Sequence, residues 1–255
     1  MKKLISVLIC LCFMLQFFVM GINAQSRESS RQELRFGADG EFTILQITDP
    51  QDDRYIAHGL TEFIEKAIAS TNPDFIVLTG DIVEDSRAGD LNSDDEKLHE
   101  GVLVDGDYAT TLENTKAAVA GVFAPLEDSG VPYAITQGNN DYKSGVTNED
   151  WLKIYAEYPG CITDDMCDML SGKIDYYVPV MSEDGEPKFG IWLLDNGRGF
   201  DENQTKWFNS YEIGEIPSVV FEHVPVDDIG NLFEACKPWD EGALFNGTSV
   251  RRLND

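Results

Sequence analysis

Histidine, basic side chains and cysteine clusters are all scarce in this chain, and each scarcity removes a class of function. Imidazole is carried only by His58, His99 and His223, so a metal centre here has to draw most of its ligands from carboxylates and amides. The five cysteines form no Cys-x-x-Cys pair and no Cys/His cluster, which excludes a zinc finger. Lysine and arginine total 19 against 46 aspartates and glutamates, a formal charge of −27. Such a surface repels phosphate polymers instead of releasing their counterions, so nucleic acid and anionic membrane are excluded as partners. Solubility is the simplest consequence of the charge. Internal repeats are also missing.

Long apolar runs are absent but for one. Leu4 to Met20 follows Lys2 and Lys3 and precedes Gly21-Ile22-Asn23-Ala24, the pattern of a secretory signal cleaved near Ala24. Residues 1–24 are therefore expected to be a signal peptide; if retained, the run is a signal anchor, short of an ideal span. Either way the bulk of the chain faces the secretory lumen or the outside, with no membrane span after signal removal. The sequons at Asn203 and Asn246 fit that route. Cys161, Cys167 and Cys236 remain after cleavage. In an oxidising compartment they allow one pair, with Cys161 and Cys167 as candidates, or three free thiols.

The remaining length suits one domain of about 200–230 residues. Residues 25–40 are polar and without periodicity, and are expected to form a flexible lead-in. Residues 41–255 are expected to be the domain, interrupted by an acidic insertion at 84–107, where nine carboxylates meet two basic residues. That stretch lacks the alternating Asp/Asn positions, central glycine and closing glutamate of an EF-hand loop, so it reads as a solvated insertion.

What is present is a set of apolar runs that each end in a polar loop. Phe42 to Thr48, Phe75 to Thr79 and Tyr133 to Gln137 are strand patterns, followed at once by Asp49, Asp81 and Asn139. Between them, Tyr55 to Ser70 and Tyr108 to Leu126 are expected to be helices, which makes a βαβαβ alternation. Right-handed crossovers place the three strand ends on one rim, where open α/β sheets bind ligands. Beyond a short helix at Glu149 to Tyr158 come strand patterns at Ile174 to Val180, Phe189 to Leu194 and Ser218 to His223. Ser182 to Pro187 reads as a turn, and Trp207 and Phe208 as the anchors of a short helix. Taken singly, an Asp or Asn after a strand caps a helix or closes an Asx turn. Taken together with His223 at a fourth strand end, they form a set of candidate ligands.

The segments Ile44–Asp49, Val77–Asp81, Gly138–Asp141, Leu193–Gly197 and Phe221–Pro225 resemble the calcineurin-like metallophosphoesterases, in the branch related to purple acid phosphatases. The resemblance implies an α/β fold: a metallophosphoesterase-type two-sheet sandwich flanked by helices (αββα), here lacking its last strands. It implies that Asp49 binds a first metal, that Asp81 bridges two, and that Asn139 and His223 bind the second. A bridging carboxylate holds two cations about 3.5–4 Å apart for in-line attack on phosphorus. This mixed oxygen and nitrogen set suits Zn, Mn or Fe.

Departures from the family's pattern bear on activity. Gln51 stands where many members have histidine, and Glu84 stands where purple acid phosphatases have a tyrosine ligand, as a possible replacement carboxylate. Asn140 stands at the family's histidine, which stabilises or protonates the departing oxygen. No late Gly-His-x-His follows Val226, so the expectation is an incomplete domain that retains one metal site at most. The resemblance thus implies a secreted phosphoesterase acting on small phosphate esters by metal-activated water, with impaired activity. The alternatives are a catalytically dead binding module and a fragment of a longer active enzyme.

Overall fold

Continuous β-branched and aromatic runs bounded by Gly and Pro become the strands of two sheets. The computed structural model describes residues 33–85, 108–163, 173–197, 199–211 and 214–225, together with 244–245 and 248–249. The expected signal peptide, most of the acidic insertion, Cys167, Cys236 and Asn246 lie outside these residues.

Strands β2 (Ile44–Ile47), β3 (Phe75–Thr79) and β4 (Tyr133–Thr136) form a parallel sheet in the order β2-β3-β4. Every residue of β3 and β4 is buried, as expected for a parallel sheet covered on both faces. The crossovers are helix α1 (His58–Thr71) and helix α2 (Tyr108–Ser129). Helix α1 starts three residues later than its periodicity predicts, because Asp53 accepts the Tyr55 amide at 2.6 Å and Asp52 accepts the Ala57 amide at 2.9 Å. It ends on Asn72, whose left-handed φ of 44° places its amide on Ile68 O, with Pro73 following. Helix α2 continues through Pro125 to Ser129, beyond its expected end; the Pro125 ring is buried in the helix's packed face.

The second sheet has the order β1-β5-β6-β7. Strands β5 (Tyr176–Met181) and β6 (Pro187–Leu194) form an antiparallel hairpin closed by Ser182 and by Gly185 at φ +83°. Strand β7 (Ser218–Glu222) runs parallel to β6, and β1 (Leu34–Arg35) runs parallel to β5. Within the expected lead-in at 25–40, Leu34 and Arg35 form a strand and Leu34 is buried in the core. A last antiparallel pair joins β8 (Leu244–Phe245) to β9 (Thr248–Ser249).

Alternation along β6 shows the layering. Ile191 and Leu193 enter the main core with Ile76, Val77, Leu78 and Ile135 of the first sheet. Trp192 and Leu194 face the other way, onto Trp207 of helix α5 (Glu202–Ser210). The Tyr176 hydroxyl ties the sheets together, 2.7 Å from both the amide and the carbonyl of Ile135. Two sheets with helices on their outer faces are the architecture that the sequence pattern implied. Two short helices follow β4: α3 (Asn139–Lys143) and α4 (Asn148–Tyr155). Cys161 is buried and in no disulfide, and burial pushes its thiol up. Among the described residues no helix is long and apolar enough to cross a membrane.

One buried polar network sits behind the rim. Asp195 accepts from the Tyr142 hydroxyl and, at 3.1 Å, from the Ile174 amide. Its own amide donates to Asp175 at 2.8 Å, and Gln204 donates to Asp175 at 2.9 Å. Burial pushes the Asp195 carboxyl up to about 6, with Asp175 adding to the shift and the Tyr142 and Ile174 donors opposing it. The native state therefore holds this proton to a higher pH than the unfolded chain. Its stabilising contribution is complete below the unfolded value of 3.8 and is lost as pH rises through about 6. Urea unfolding at pH 5 and pH 7.5 should differ by about 1.4 kcal/mol on this account, with the acid side more stable. Asp195→Asn should shrink the measured difference by about that amount; an unchanged difference in the variant would show that the proton sits elsewhere.

Candidate metal centre

The rim is made by three non-glycine residues in the left-handed region: Asp49 (φ 53°), Gln51 (φ 45°) and Asp81 (φ 52°). Such conformations cost energy and persist only where surrounding structure enforces them. Here the loops after β2 and β3 enforce them on each other. The Asp49 amide donates to Gly80 O at 3.2 Å, the Gln51 amide to Asp81 O at 3.0 Å and the Glu84 amide to Asp52 O at 3.0 Å.

The third loop is drawn in by a carboxylate. Asp141, fully buried, accepts the Ile82 and Val83 amides on Oδ1 at 2.8 and 3.2 Å and the Gly138 amide on Oδ2 at 2.8 Å. Burial pushes its carboxyl up to about 7; the charge of Asp81 adds to this, while the three amides oppose it. Asp141 thereby fastens the β4 loop against the β3 loop, and the Asn140 amide donates to Asp81 Oδ1 at 2.8 Å.

His223 completes the group from β7. Its Nδ1 lies 2.8 Å from the carbonyl of Thr79, which can only accept, so Nδ1 is the donor and the neutral ring presents its lone pair on Nε2. Nε2 lies 3.4 Å from Asp81 Oδ1. Two acceptors aimed at each other call for a shared cation, either a metal ion or a proton. A carbonyl that fixes the tautomer is also the usual support behind a metal-binding histidine. One oxygen each of Asp49 and Asp81 and one nitrogen of His223 lie within 4.8 Å of one another.

The Asn139 amide ends 3.2 Å from His223 Nε2. With Nε2 as acceptor, the amide nitrogen belongs on that side, and the oxygen then lies 3.1 Å from Lys143 Nζ. A cation at the site would instead favour the oxygen facing His223. Gln51 Nε2 donates to Asp81 Oδ2 at 2.8 Å, so its amide sits among the carboxylates as a donor. Glu84 is not a member of the group: its backbone is paired beside the β2 loop, and the close cluster is Asp49, Asp81 and His223. The donor set fits one oxygen- and nitrogen-liganded cation, with Asp81 and His223 as its firmest members.

A profile described as calcineurin-like phosphoesterase matches residues 42–242. The chain belongs to this family. Among its relatives, the probable inactive purple acid phosphatase 14 of Arabidopsis thaliana is 27% identical over 66% of this chain and 42% of its own length. The probable inactive purple acid phosphatase 29 of the same plant is 22% identical over 89% of this chain and 64% of its own. Both names lie in the branch that the strand-end loops resemble. The chain thus spans between two fifths and two thirds of the length of these curated relatives. The solved structure of TT1561 of Thermus thermophilus aligns over 76% of this chain and 77% of its own, with a TM-score of 0.39 and 12% identity.

Sequence reasoning about this calcineurin-like chain assigned no role to Asn196, although its segment was singled out. Asn196 is buried; its Oδ1 accepts the His223 and Val224 amides at 3.1 and 2.9 Å, and its Nδ2 donates to Val224 O. The amide side chain thus imitates a neighbouring strand and holds His223 at its place on the rim. The readable signal was an amide residue two positions after the buried end of β6.

Proposed function

We propose that this calcineurin-like phosphoesterase binds small phosphate esters through a single Zn, Mn or Fe ion, hydrolyses them slowly, and works in the secretory lumen or outside the cell. The observation that supports the reading best is the meeting of Asp49, Asp81 and the His223 lone pair beside Asn139 and Asn140. When bound, such an ion supplies Lewis acidity toward phosphoryl oxygens and an activated water. Asp81 and His223 hold it, and the Thr79 carbonyl keeps Nε2 available by retaining the proton on Nδ1. The Asn140 side chain can hydrogen-bond to a departing oxygen but cannot give it a proton at ordinary pH. Gln51, already bonded to Asp81, adds a neutral donor where a second cation would need another ligand.

A non-hydrolytic binding role is the second reading. It is favoured by that Gln51 bond and by relatives whose names call them probably inactive. Assay of the Zn-, Mn- or Fe-loaded chain on p-nitrophenyl phosphate separates the two. Hydrolysis is expected to be slow but above that of Asp81→Asn, and to rise about a hundredfold in Asn140→His, at the low end of general-acid catalysis. Bound metal with no turnover in either the parent or Asn140→His would leave the binding role.

A further inference from the structure

We infer that Lys143 is the anion anchor of this centre, supplying the positive charge that draws a phosphoryl group to the rim. The inference rests on the proposed phosphate chemistry and goes beyond it by naming the residue that holds the ligand's charge. Lys143 ends helix α3, four residues after Asn139, and its side chain turns back along that helix. Its Nζ lies 3.0 Å from Asn140 Oδ1 and 3.1 Å from the Asn139 amide oxygen. The other end of that same Asn139 amide lies 3.2 Å from His223 Nε2. The ammonium therefore stands one amide away from the candidate metal ligands, on the side where Asn140 replaces a histidine.

Its company is unusual for this chain. Acidic residues outnumber basic ones 46 to 19, and five of the seven described lysines, Lys66, Lys116, Lys153, Lys173 and Lys206, lie within 4.0 Å of a carboxylate; the other exception, Lys188, is exposed. Among the described residues, Lys143 meets only neutral amide oxygens. An ammonium has three donors, and at most two are engaged here. Neutral acceptors leave its charge uncompensated, and a partly buried site strengthens the field it offers an anion. Without it, the carboxylates of Asp49 and Asp81 would repel a phosphate from the very place where a cation must meet it.

The amides also couple this anchor to the metal. A cation beside His223 favours the Asn139 oxygen on its own side, which takes one acceptor away from Lys143. That donor is then open to an incoming oxyanion, so metal and phosphate should each strengthen the other's binding.

The test uses the full chain loaded with Zn²⁺ and titrated with inorganic phosphate, followed by calorimetry. Lys143→Met is expected to weaken phosphate binding about ten- to a hundredfold, the scale of one charge-assisted hydrogen bond, while Zn²⁺ affinity measured without phosphate is not weakened. Lys143→Arg keeps the charge and should restore binding to within about threefold of the parent. Phosphate binding in Lys143→Met equal to the parent's, with Zn²⁺ in place, would overturn the anchor while leaving the metal reading intact. Loss of Zn²⁺ binding in Lys143→Met would overturn it too, by showing that the lysine only props Asn139. A parent chain that takes up no Zn²⁺ fails one step earlier, at the proposed function itself.

Discussion

Asp81→Asn is expected to abolish the rise in melting temperature that Zn²⁺ or Mn²⁺ gives the parent chain, without lowering the melting temperature of the metal-free protein. The two halves of this result have different causes. Asp81 is 2% exposed, lies 3.4 Å from His223 Nε2, and shares its cluster with Asp49. In the metal-free state it is a buried carboxylate near two others, Asp49 and Asp141, and repulsion between Asp81 and Asp141 helps push the Asp141 carboxyl up. Asparagine removes that repulsion. It also keeps the left-handed φ of 52° at low cost, because Asn, like Asp, tolerates that region. Its oxygen can still accept the Asn140 amide, and the Gln51 amide can turn over to accept its nitrogen.

Metal binding has no such substitute. Altering a residue that merely supports a ligand costs about 10–100-fold in affinity, so removing the central carboxylate should cost at least about 100-fold. A metal at a hundred times its Kd stabilises by about 2.7 kcal/mol, which is about 5–10 °C in a domain of this size. Thermal melts of both proteins, with metal and with chelator, read the two effects separately. An equal metal-induced shift in Asp81→Asn would place the cation elsewhere. A lower metal-free melting temperature would make Asp81 a structural residue instead of one whose charge is tolerated for function.

The meeting of Asp49, Asp81, Asn139 and His223 at one edge was legible because each closely follows an apolar run, and parallel strands bring the residues that follow them to one edge. The fold was legible for the same reason: β3 and β4 are continuous runs, buried throughout, that no helix period fits. Strand β1 was invisible, since two residues carry no period and Leu34 finds its register only against Val180, far along the chain. Glu84 falls outside the close cluster, because position along a loop does not fix where a side chain ends up once the backbone is paired with Asp52. Asn196 acts across a gap between elements, from the loop after β6 to β7, while Lys143 reaches back along its own short helix. A single sequence shows neither approach.

Gly138→Ala should be the most damaging small substitution at the site. Gly138 has φ −103° and ψ −179°, which any residue adopts, so the backbone angles do not call for glycine. Space does: a Cβ there would lie 2.2 Å from Asp81 Oδ1 and 2.4 Å from Asp81 N. The carboxylate is held by the Asn140 amide, and the backbone nitrogen belongs to the paired loops, so neither can yield cheaply. From the opposite side, a Cβ on Gly80 would meet Gly138 N at 2.6 Å, and one on Gly197 would meet Gly138 O at 2.7 Å. Three loops therefore touch backbone to backbone beneath the candidate metal centre. Forcing them apart should cost about 3 kcal/mol, the upper end for overpacking, or about 6–12 °C in melting temperature, together with the metal-induced shift. Gly59→Ala is the matching control. It lies in helix α1 with nothing within 4 Å of its would-be Cβ, and alanine there should stabilise by about 0.5–1 kcal/mol. If Gly138→Ala melted within about 2 °C of the parent and kept its response to metal, the loops would not meet as described, and the convergence of Asp81, Asn139 and His223 would lose its physical basis.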